Sequence, residues 1–335
     1  MFTKILKTSL TILLLTTFTF FAGCSDSSTP KTQEKIRLAE VTHSIFYTPL
    51  YVAIEKGFFK EQGLNVELFN ANGGDKTMTA LVSGSADIIL VGTETTIYVY
   101  SQNAKDPAIN FAQLTQTDGS FLVSREPIKN FSWDLLKGKV LLGQRKGGMP
   151  EMVSEYVQMK NGIRPKVDNT IIQNVDYANL GPAFVSGTGD FVQLFEPIAS
   201  KIEADGKGYV VASFGKDSGK LPYTVFITKQ STIEKNPEKI QKFTNAIYKA
   251  QQWVENHTIE EIADAISPQF PEFDRKLMLR VLDRYRSQGS WATNPIIDEE
   301  EYHNLEKVME NAGELKSKAP YEKIVNTDFA RKAMR

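Results

Sequence analysis

Ala80-Leu81-Val82-Ser83-Gly84-Ser85-Ala86-Asp87 returns about a hundred residues later as Ala183-Phe184-Val185-Ser186-Gly187-Thr188-Gly189-Asp190. In each copy an apolar helical stretch stops at Ser-Gly, where glycine can adopt the left-handed conformation that ends a helix. The aspartate then leads into an apolar run of strand length, Ile88 to Val91 in one copy and Phe191 to Leu194 in the other. Ser-Gly is common at helix ends, so chance is the alternative, but the match extends beyond the turn. The repeat predicts two α/β lobes of similar plan.

The amino-terminal segment predicts where the protein is located. Lys4 and Lys7 precede an apolar run from Leu10 to Ala22, which closes with Gly23-Cys24. This run is too short to span a bilayer and is typical of a secretory signal. Its ending resembles a bacterial lipoprotein signal, which implies a signal peptide over residues 1–23 and lipidation of Cys24. The alternatives are an ordinary signal peptide cut elsewhere, or a buried structural cysteine.

The composition of the remaining chain favours a soluble body held to the membrane through its lipid anchor only. Residues 24–35 are polar and predict a tether. The formal net charge of −1 carries no nucleic-acid signature.

With a single cysteine the exported chain can form no internal disulfide, so the core must hold the fold. About three hundred residues follow Cys24, which is enough for two compact lobes. We expect the protein to lie on the extracytoplasmic face of a bacterial cell membrane.

Strand and helix patterns alternate along residues 36–227. Short apolar runs such as Val66 to Phe69 and Thr170 to Ile172 predict strands, and Pro150 suits the first turn of a helix. Residues 111–123 read as one linking strand, and beyond Pro237 the pattern is helical to the end. The alternation predicts an α/β fold with mostly parallel sheets and helices on both faces.

In sheets of that kind, ligands bind at the loops beyond the carboxyl ends of the strands. Each polar or glycine-rich cluster of this chain could be simple turn chemistry, but their shared position predicts a cleft between the lobes. The clusters are His43 to Tyr47, Asn72 to Thr77, Gly92 to Thr95, Gln116 to Gly119, Gln144 to Met149, and Phe195 to Pro197.

The segment Tyr47-Thr48-Pro49-Leu50-Tyr51-Val52-Ala53-Ile54-Glu55-Lys56-Gly57-Phe58-Phe59-Lys60-Glu61-Gln62-Gly63-Leu64 resembles the opening of a family of substrate-binding proteins. These proteins serve importers of nitrate, sulfonates, taurine and thiamine-precursor pyrimidines, and the resemblance continues through both repeats and Phe195-Glu196-Pro197. It implies a type II periplasmic-binding-protein fold with two mixed-sheet lobes joined by two hinge strands. Lobe 1 would comprise residues 36–118 and 223–335, and lobe 2 residues 119–222. It also implies a monomer that delivers a small ligand to a permease driven by an ATPase subunit.

The residues in the candidate loops indicate the chemistry of the ligand. Glu94, Asp118 and Glu196 can accept hydrogen bonds from amines and ring N–H groups, and aromatic side chains can stack on flat rings. This favours an amino-heterocycle such as a thiamine-related aminopyrimidine. The alternative is an alkanesulfonate, taurine or nitrate, which needs backbone N–H groups or Arg, as at Arg145 to Gly148. Helix capping for the acidic residues, and a core role for Phe46 and Phe195, remain open. The predicted ligand-binding residues are Phe46, Tyr47, Thr77, Thr93, Glu94, Asp118, Gly147, Gly148, Met149, Glu196 and Tyr223.

Two other functional classes deserve comparison. The same fold resembles a pyrimidine synthase that consumes its own histidine and carries a cysteine-rich iron motif. Here Tyr47 stands where that histidine would lie, and the chain has no cysteine beyond Cys24. His257 and His303 lack metal-ligand spacing. We therefore expect no catalysis, no metal and no cofactor. A lipoprotein that senses a ligand or binds a partner protein is the third class.

Overall fold

The computed structural model describes residues 33–335. The predicted signal peptide, Cys24 and most of the tether lie outside the described residues. Strand β1 begins at Glu34, so it includes the last two residues of the segment predicted as tether.

Ten strands lie within residues 33–335 and form two five-stranded sheets. In chain order they are β1 Glu34–Glu40, β2 Leu64–Asn70, β3 Ile88–Gly92, β4 Ala108–Thr115, β5 Ser120–Ser124, β6 Val140–Leu142, β7 Thr170–Ile172, β8 Phe191–Phe195, β9 Tyr209–Ser213 and β10 Thr224–Lys229.

The two sheets have the same plan. The first has the order β2-β1-β3-β10-β4 and the second β7-β6-β8-β5-β9. In each, three parallel strands are followed by one antiparallel strand, which is β10 in the first sheet and β5 in the second. Each antiparallel strand pairs on its far side, also antiparallel, with the last strand of the sheet. This confirms the predicted α/β class with two mixed sheets.

The repeated phrase occupies equivalent places in these sheets, before β3 in one and before β8 in the other. The N–H of Asp87 donates to Arg37 O at 2.9 Å, and its Oδ2 accepts the N–H of Arg37 at 2.8 Å. The N–H of Asp190 donates to Val140 O at 2.8 Å, and its Oδ2 accepts the N–H of Val140 at 2.9 Å. Each aspartate therefore ties the start of its strand to the neighbouring parallel strand, β1 or β6. Equal sheet position and equal bonding support a common origin for the two units.

The chain passes between the sheets twice. It leaves the first sheet at Thr115 and enters the second at Ser120, so the predicted single strand over 111–123 is wrong. The break falls at Gln116 to Gly119, where the backbone turns into the other sheet. It returns before Thr224, and the N–H of Tyr223 donates to Thr115 O at 3.1 Å, so the two crossings lie side by side.

Fifteen α-helices lie within the described range. They are α1 Thr48–Glu55, α2 Phe58–Glu61, α3 Gly74–Ser83, α4 Glu94–Tyr100, α5 Met149–Lys160, α6 Leu180–Val185, α7 Ile198–Ala204, α8 Phe214–Ser218, α9 Gln230–Lys235, α10 Pro237–Asn256, α11 Ile259–Ile266, α12 Arg275–Gln288, α13 Glu299–Asn311, α14 Tyr321–Ile324 and α15 Asp328–Ala333. Short 3-10 helices cover Ile45–Tyr47, Trp133–Leu136, Tyr177–Asn179 and Ser267–Gln269.

The core follows the buried strands. Every residue of β3, β4 and β5 is buried, as expected for strands covered on both faces. Strand β9 was not predicted, although Tyr209 to Ala212 is a short apolar run; its residues are half-buried or exposed at the edge of the second sheet. Among residues 33–335, none of the helices combines the length and apolar character needed to cross a bilayer.

Candidate functional site

The predicted loops stand where the parallel strands end. Five of them follow β1, β2, β3, β6 and β8, and the sixth, Gln116 to Gly119, joins β4 to β5. Loops from both sheets meet in one region, which we call the loop junction and define by Phe46, Glu94, Asp118, Phe195 and Tyr223. These residues come from separate loops and strand ends, so only the tertiary fold brings them together.

Aromatic side chains form the centre of the loop junction. The Phe46 ring centroid lies 5.7 Å from that of Tyr223 and 5.5 Å from that of Tyr47. From the second sheet, Phe195 approaches to 6.1 Å, and Tyr285 of α12 lies 5.1 Å away. Phe46 is 1% exposed, so it belongs to the core as well as to the junction. The sequence left these two roles open, and the position of Phe46 is compatible with both.

Asp118 is fully buried at the first crossing between the sheets. Its Oδ1 accepts the Ser120 N–H at 2.6 Å and also the Ser120 hydroxyl, while its Oδ2 accepts no hydrogen bond from the described residues. Burial raises the pKa of Asp118 to about 6, although the bonds from Ser120 and the nearby Tyr223 hydroxyl lower it in part. The Tyr223 hydroxyl is itself buried and has no partner of hydrogen-bond geometry within residues 33–335. Asp118 and Tyr223 thus place one acceptor and one hydroxyl in the junction.

Glu94 opens α4 and is 6% exposed. Its carboxylate folds back over Gly92, where an added Cβ would lie 2.0 Å from Glu94 Oε2. Burial raises the pKa of Glu94 to about 7, partly offset by the backbone N–H groups of Glu94 itself, Met149 and Thr95. Met149 belongs to the second sheet's loop, so this carboxylate faces across the junction. Its Oε2 has no hydrogen-bond partner among the described residues.

Gly147, Gly148 and Met149 lead into α5. Gly147 has a φ of +80°, a left-handed conformation that favours glycine. Its carbonyl accepts a hydrogen bond from the Tyr98 hydroxyl of α4 at 3.3 Å. This contact joins helices that follow different sheets, and it involves Tyr98, which sequence reasoning did not select.

Thr77 and Thr93 lie near the junction but have their hydroxyls engaged locally. Thr77 Oγ1 donates to Gly73 O at 2.7 Å within the first turn of α3, and Thr93 Oγ1 donates to Pro222 O at the second crossing. Both residues are buried. Their hydroxyls therefore shape the loops, and each retains only acceptor capacity toward a ligand.

Glu196 is buried at the end of β8, and both of its carboxylate oxygens are bonded. Oε1 accepts from Arg284 Nη1 at 2.6 Å and from the Ser200 hydroxyl at 2.9 Å, and Oε2 accepts the Ser200 N–H at 2.8 Å. Arg284 also reaches Glu203 Oε2 at 2.7 Å. A carboxylate with this many protein donors has less capacity left for a ligand than Glu94 or Asp118 has.

Two further residues reach the junction without having been predicted. Gln193 of β8 donates to Ser120 Oγ at 2.8 Å and to Pro150 O at 2.9 Å, and its Oε1 is buried without a partner in the described chain. The Tyr177 ring is tilted against that of Phe195, with centroids 6.1 Å apart. Tyr177 is 46% exposed, yet burial of its hydroxyl raises its pKa to about 12. The loop after β7 that holds Tyr177 could have been found by the same strand-end rule. Gln193 lies inside an apolar strand pattern and gave no such signal.

The junction carries polar groups and aromatic rings of the kinds that take part in hydrogen bonding and stacking. It presents three buried acceptor oxygens, on Glu94, Asp118 and Gln193, together with the Tyr223 hydroxyl. Within residues 33–335 no group of three His, Cys, Asp or Glu side chains is arranged to hold a metal ion.

Comparisons with known proteins agree with this description. Residues 45–260 match the NMT1/THI5-like family. The chain is 56% identical over 302 residues, 90% of each chain, to the protein named "Putative binding protein YtlA" of Bacillus subtilis (strain 168).

Two solved structures share the fold. The ligand-binding component of an ABC-type import system from Staphylococcus aureus, solved with zinc bound, matches with a TM-score of 0.72 at 14% identity, over 90% of this chain and 99% of that one. The periplasmic aliphatic sulphonate-binding protein SsuA of Escherichia coli matches with a TM-score of 0.69 at 14% identity, over 87% and 97%. These likenesses confirm the periplasmic-binding-protein fold. The family match covers more than half of the chain, and the relationship to YtlA extends over nearly all of it. The chain belongs to the NMT1/THI5-like family and is a binding protein rather than an enzyme.

Proposed function

We propose that this chain is the extracytoplasmic solute-binding component of an ABC importer. The S. aureus protein of the same fold is named as the ligand-binding component of such a system, and the E. coli protein as periplasmic. The amino-terminal sequence supports export and attachment to the membrane through a lipid on Cys24. The chain would act as a monomer, with residues 36–118 and 223–335 as one lobe and 119–222 as the other.

The ligand that fits best is a small heterocycle with amino or ring N–H groups, such as an aminopyrimidine related to thiamine. The observation that carries this proposal is the set of buried acceptors without donors at Glu94, Asp118 and Gln193. A buried polar atom without a hydrogen-bond partner destabilises the folded protein. A ligand that donates hydrogen bonds to all three oxygens removes this destabilisation, which favours its binding. The Phe46 ring packs against those of Tyr47 and Phe195 at the junction, and these rings would offer faces for stacking.

An anionic ligand fits these groups less well. A sulfonate or nitrate would need cationic or N–H donors, and the candidate loop offers Arg145 and Lys146. Both side chains are exposed, whereas the buried groups of the junction are carboxylates. Bringing an anion next to Glu94 and Asp118 would add like-charge repulsion in a poorly solvated region.

Binding would shift the protein toward the closed arrangement. A ligand that touches groups from both sheets stabilises the arrangement that brings them together, by as much as its affinity differs between open and closed forms. The closed protein would then dock on the permease, which an ATPase subunit drives. The chain breaks no bond in the ligand during this cycle.

The test is isothermal titration calorimetry on the purified full chain. The probes are aminopyrimidines, including 4-amino-5-hydroxymethyl-2-methylpyrimidine, set against taurine, methanesulfonate and nitrate. We expect micromolar affinity for an aminopyrimidine, and a loss of about 10- to 100-fold in Glu94→Gln and in Asp118→Asn, because each replaces a carboxylate acceptor with the weaker acceptor of a neutral amide.

Glu306→Gln is the matched control, since Glu306 is a buried carboxylate on α13 paired with His303 at 2.9 Å. It should leave the affinity unchanged. Binding of a sulfonate or nitrate in preference to every aminopyrimidine would overturn the ligand class and leave the transport role standing.

A further inference from the structure

His43 is hydrogen-bonded at both of its ring nitrogens. Nδ1 lies 2.7 Å from Glu40 Oε1, at the end of β1, and Nε2 lies 2.9 Å from Gln269 O, in the 3-10 helix that follows α11. An ionised carboxylate and a carbonyl oxygen accept hydrogen bonds but cannot donate them. Both ring nitrogens must therefore act as donors, which requires a proton on each. The two contacts together indicate that His43 is an imidazolium cation in the folded protein.

The surroundings of His43 favour this positive charge. The Phe270 ring stacks on the imidazole with centroids 4.6 Å apart. The titratable groups around the ring, from β1, α1 and the segment before α12, are all acids: Glu40, Tyr51, Glu55 and Glu272. The hydrogen bond to the Glu40 carboxylate raises the pKa of His43 above its ordinary value of 6.5, although burial lowers it in part.

His43 can lose its proton without unfolding of the protein. Its side chain is 31% exposed and lines a surface cavity together with Phe69, Asn70 and Gln269. When the pH rises above the pKa of His43, one ring nitrogen becomes an acceptor that faces another acceptor. One of the two hydrogen bonds is then lost.

The Glu40 carboxylate connects His43 to the loop that carries Phe46. Its Oε2 accepts the Tyr51 hydroxyl at 2.7 Å, and the Tyr51 hydroxyl oxygen accepts the Ser44 N–H at 3.1 Å. Ser44 Oγ in turn accepts the Phe46 N–H at 3.2 Å and caps the 3-10 helix that contains Phe46. A continuous set of hydrogen bonds therefore runs from His43 to the residue whose ring lies at the centre of the loop junction.

We propose that His43 is a positioning residue whose imidazolium form holds the Phe46 loop in the arrangement that receives the ligand, so that ligand affinity falls when His43 loses its proton. This inference rests on the proposed function and deepens it, because it adds a pH dependence to the same site. The contacts with Glu40 and Gln269 join the start of the loop to β1 and to the carboxy-terminal helices. With only one of them left, the ligand must order a looser loop, which reduces its affinity.

Calorimetry on the full chain with 4-amino-5-hydroxymethyl-2-methylpyrimidine, at pH 6 and pH 9, compares the wild type with His43→Gln. Glutamine carries no charge and can replace only part of the hydrogen bonding of the imidazolium. We expect the variant to bind about 3- to 10-fold more weakly at pH 6, the effect of losing one hydrogen bond to a charged group, and about equally at pH 9. Comparison at each pH cancels the ionisation of Glu94 and Asp118, which both proteins share.

Nuclear magnetic resonance of the ligand-free protein tests the positioning directly. The chain has three histidines, so the ring signals of His43 are assigned by their loss in His43→Gln. We expect the His43 ring to titrate with a midpoint above 6.5. The backbone amide signals of Ser44 and Phe46 should move with the same midpoint in the wild type and should not show this titration in His43→Gln.

His303→Gln is the matched control. His303 is also paired with a carboxylate, since its Nδ1 lies 2.9 Å from Glu306 Oε2, but it belongs to α13 and not to the Phe46 loop. The control should keep the wild-type affinity at both pH values and the wild-type titration of the Ser44 and Phe46 amides.

Three results would each overturn the inference. They are a His43 midpoint at or below 6.5, amide signals of Ser44 and Phe46 that do not follow the His43 titration, and a ratio of the two affinities that is the same at pH 6 and pH 9. Failure of the proposed function is a separate result. If the wild type binds no aminopyrimidine, the ligand class fails, while the spectra of the ligand-free protein still decide whether His43 holds the loop. If His43→Gln does not fold, as judged by its melting curve, the titration of the wild type decides.

Discussion

Glu196 Oε1 lies 2.6 Å from Arg284 Nη1, and this contact ties the end of β8 to α12. Glu196, which precedes Pro197, is the leading predicted ligand contact because the family resemblance and the strand-end position agree there. The structure shows that its oxygens are already bonded to Arg284 and Ser200. Its role as a ligand contact stays a prediction, and its contacts point to a second role in holding α12 against the second sheet.

Removing Arg284 should destabilise the protein strongly. Arg284→Met leaves Glu196 and Glu203 without their shared cation, and a buried carboxylate that loses its partner costs about 3 kcal/mol. Urea unfolding of the variant measures this loss. Arg275→Met on the same helix is the control, since the Arg275–Asp264 pair is exposed and should contribute little to stability. Equal losses in the two variants would show that the buried pair has no special role.

The stability of the free protein should depend on Glu94 and Asp118 between about pH 4 and 7. Burial raises their pKa values in the fold to about 7 and about 6, from 4.5 and 3.8. The folded state therefore binds more protons than the unfolded state in this range, and the free energy of unfolding falls as pH rises. Each shift corresponds to about 3 kcal/mol at full ionisation.

Glu94→Gln and Asp118→Asn should each reduce this pH dependence. Chemical unfolding at pH 5 and pH 8 measures the change in unfolding free energy between the two conditions, and each variant should lose less stability than the wild type on going to pH 8. Glu306→Gln should keep the wild-type difference. If the unfolding free energy of both variants changed with pH as much as that of the wild type, the proposed burial of charge at these positions would be contradicted.

The glycines of the repeated phrase should resist substitution. Gly84 and Gly187 have φ values of +78° and +113°, and an added Cβ at either would meet no atom within 4 Å. The cost of Gly84→Ala or Gly187→Ala is therefore backbone strain alone, about 1–2 kcal/mol by urea unfolding. Gly74→Ala in α3 is the control, because an added Cβ there would make ordinary contacts at 3.6 Å and its φ is not positive, so no loss is expected. A loss at Gly74 equal to that at Gly84 would exclude left-handed strain as the cause.

Lipidation can be tested directly at Cys24. Cys24→Ala should abolish incorporation of labelled fatty acid and move the protein from the membrane to the soluble fraction of cells. Ser25→Ala, one residue on, should change neither. Retention of Cys24→Ala in the membrane fraction would exclude a lipid anchor at this residue.

The sequence by itself determined the class of fold and the family. Strand length, helix-ending glycines and the repeated Asp87 and Asp190 are local features, and each depends on residues close together in the chain. The strand-end loops also follow from local patterns, so the sequence was enough to locate the loops that form the junction. It failed at residues 116–119, a short polar segment between β4 and β5, because the two strands follow one another so closely that they were predicted as one.

Only the tertiary structure decided how the site residues are used. Glu94 and Glu196 look alike in sequence, as acidic residues after buried strands. In the fold, Arg284 arrives from α12, 88 residues away, and satisfies Glu196, while no cation of the described chain reaches the carboxylate of Glu94. Whether a buried charge is paired depends on which distant side chain packs against it, and the long-range contacts that set this leave no periodic signal in the sequence.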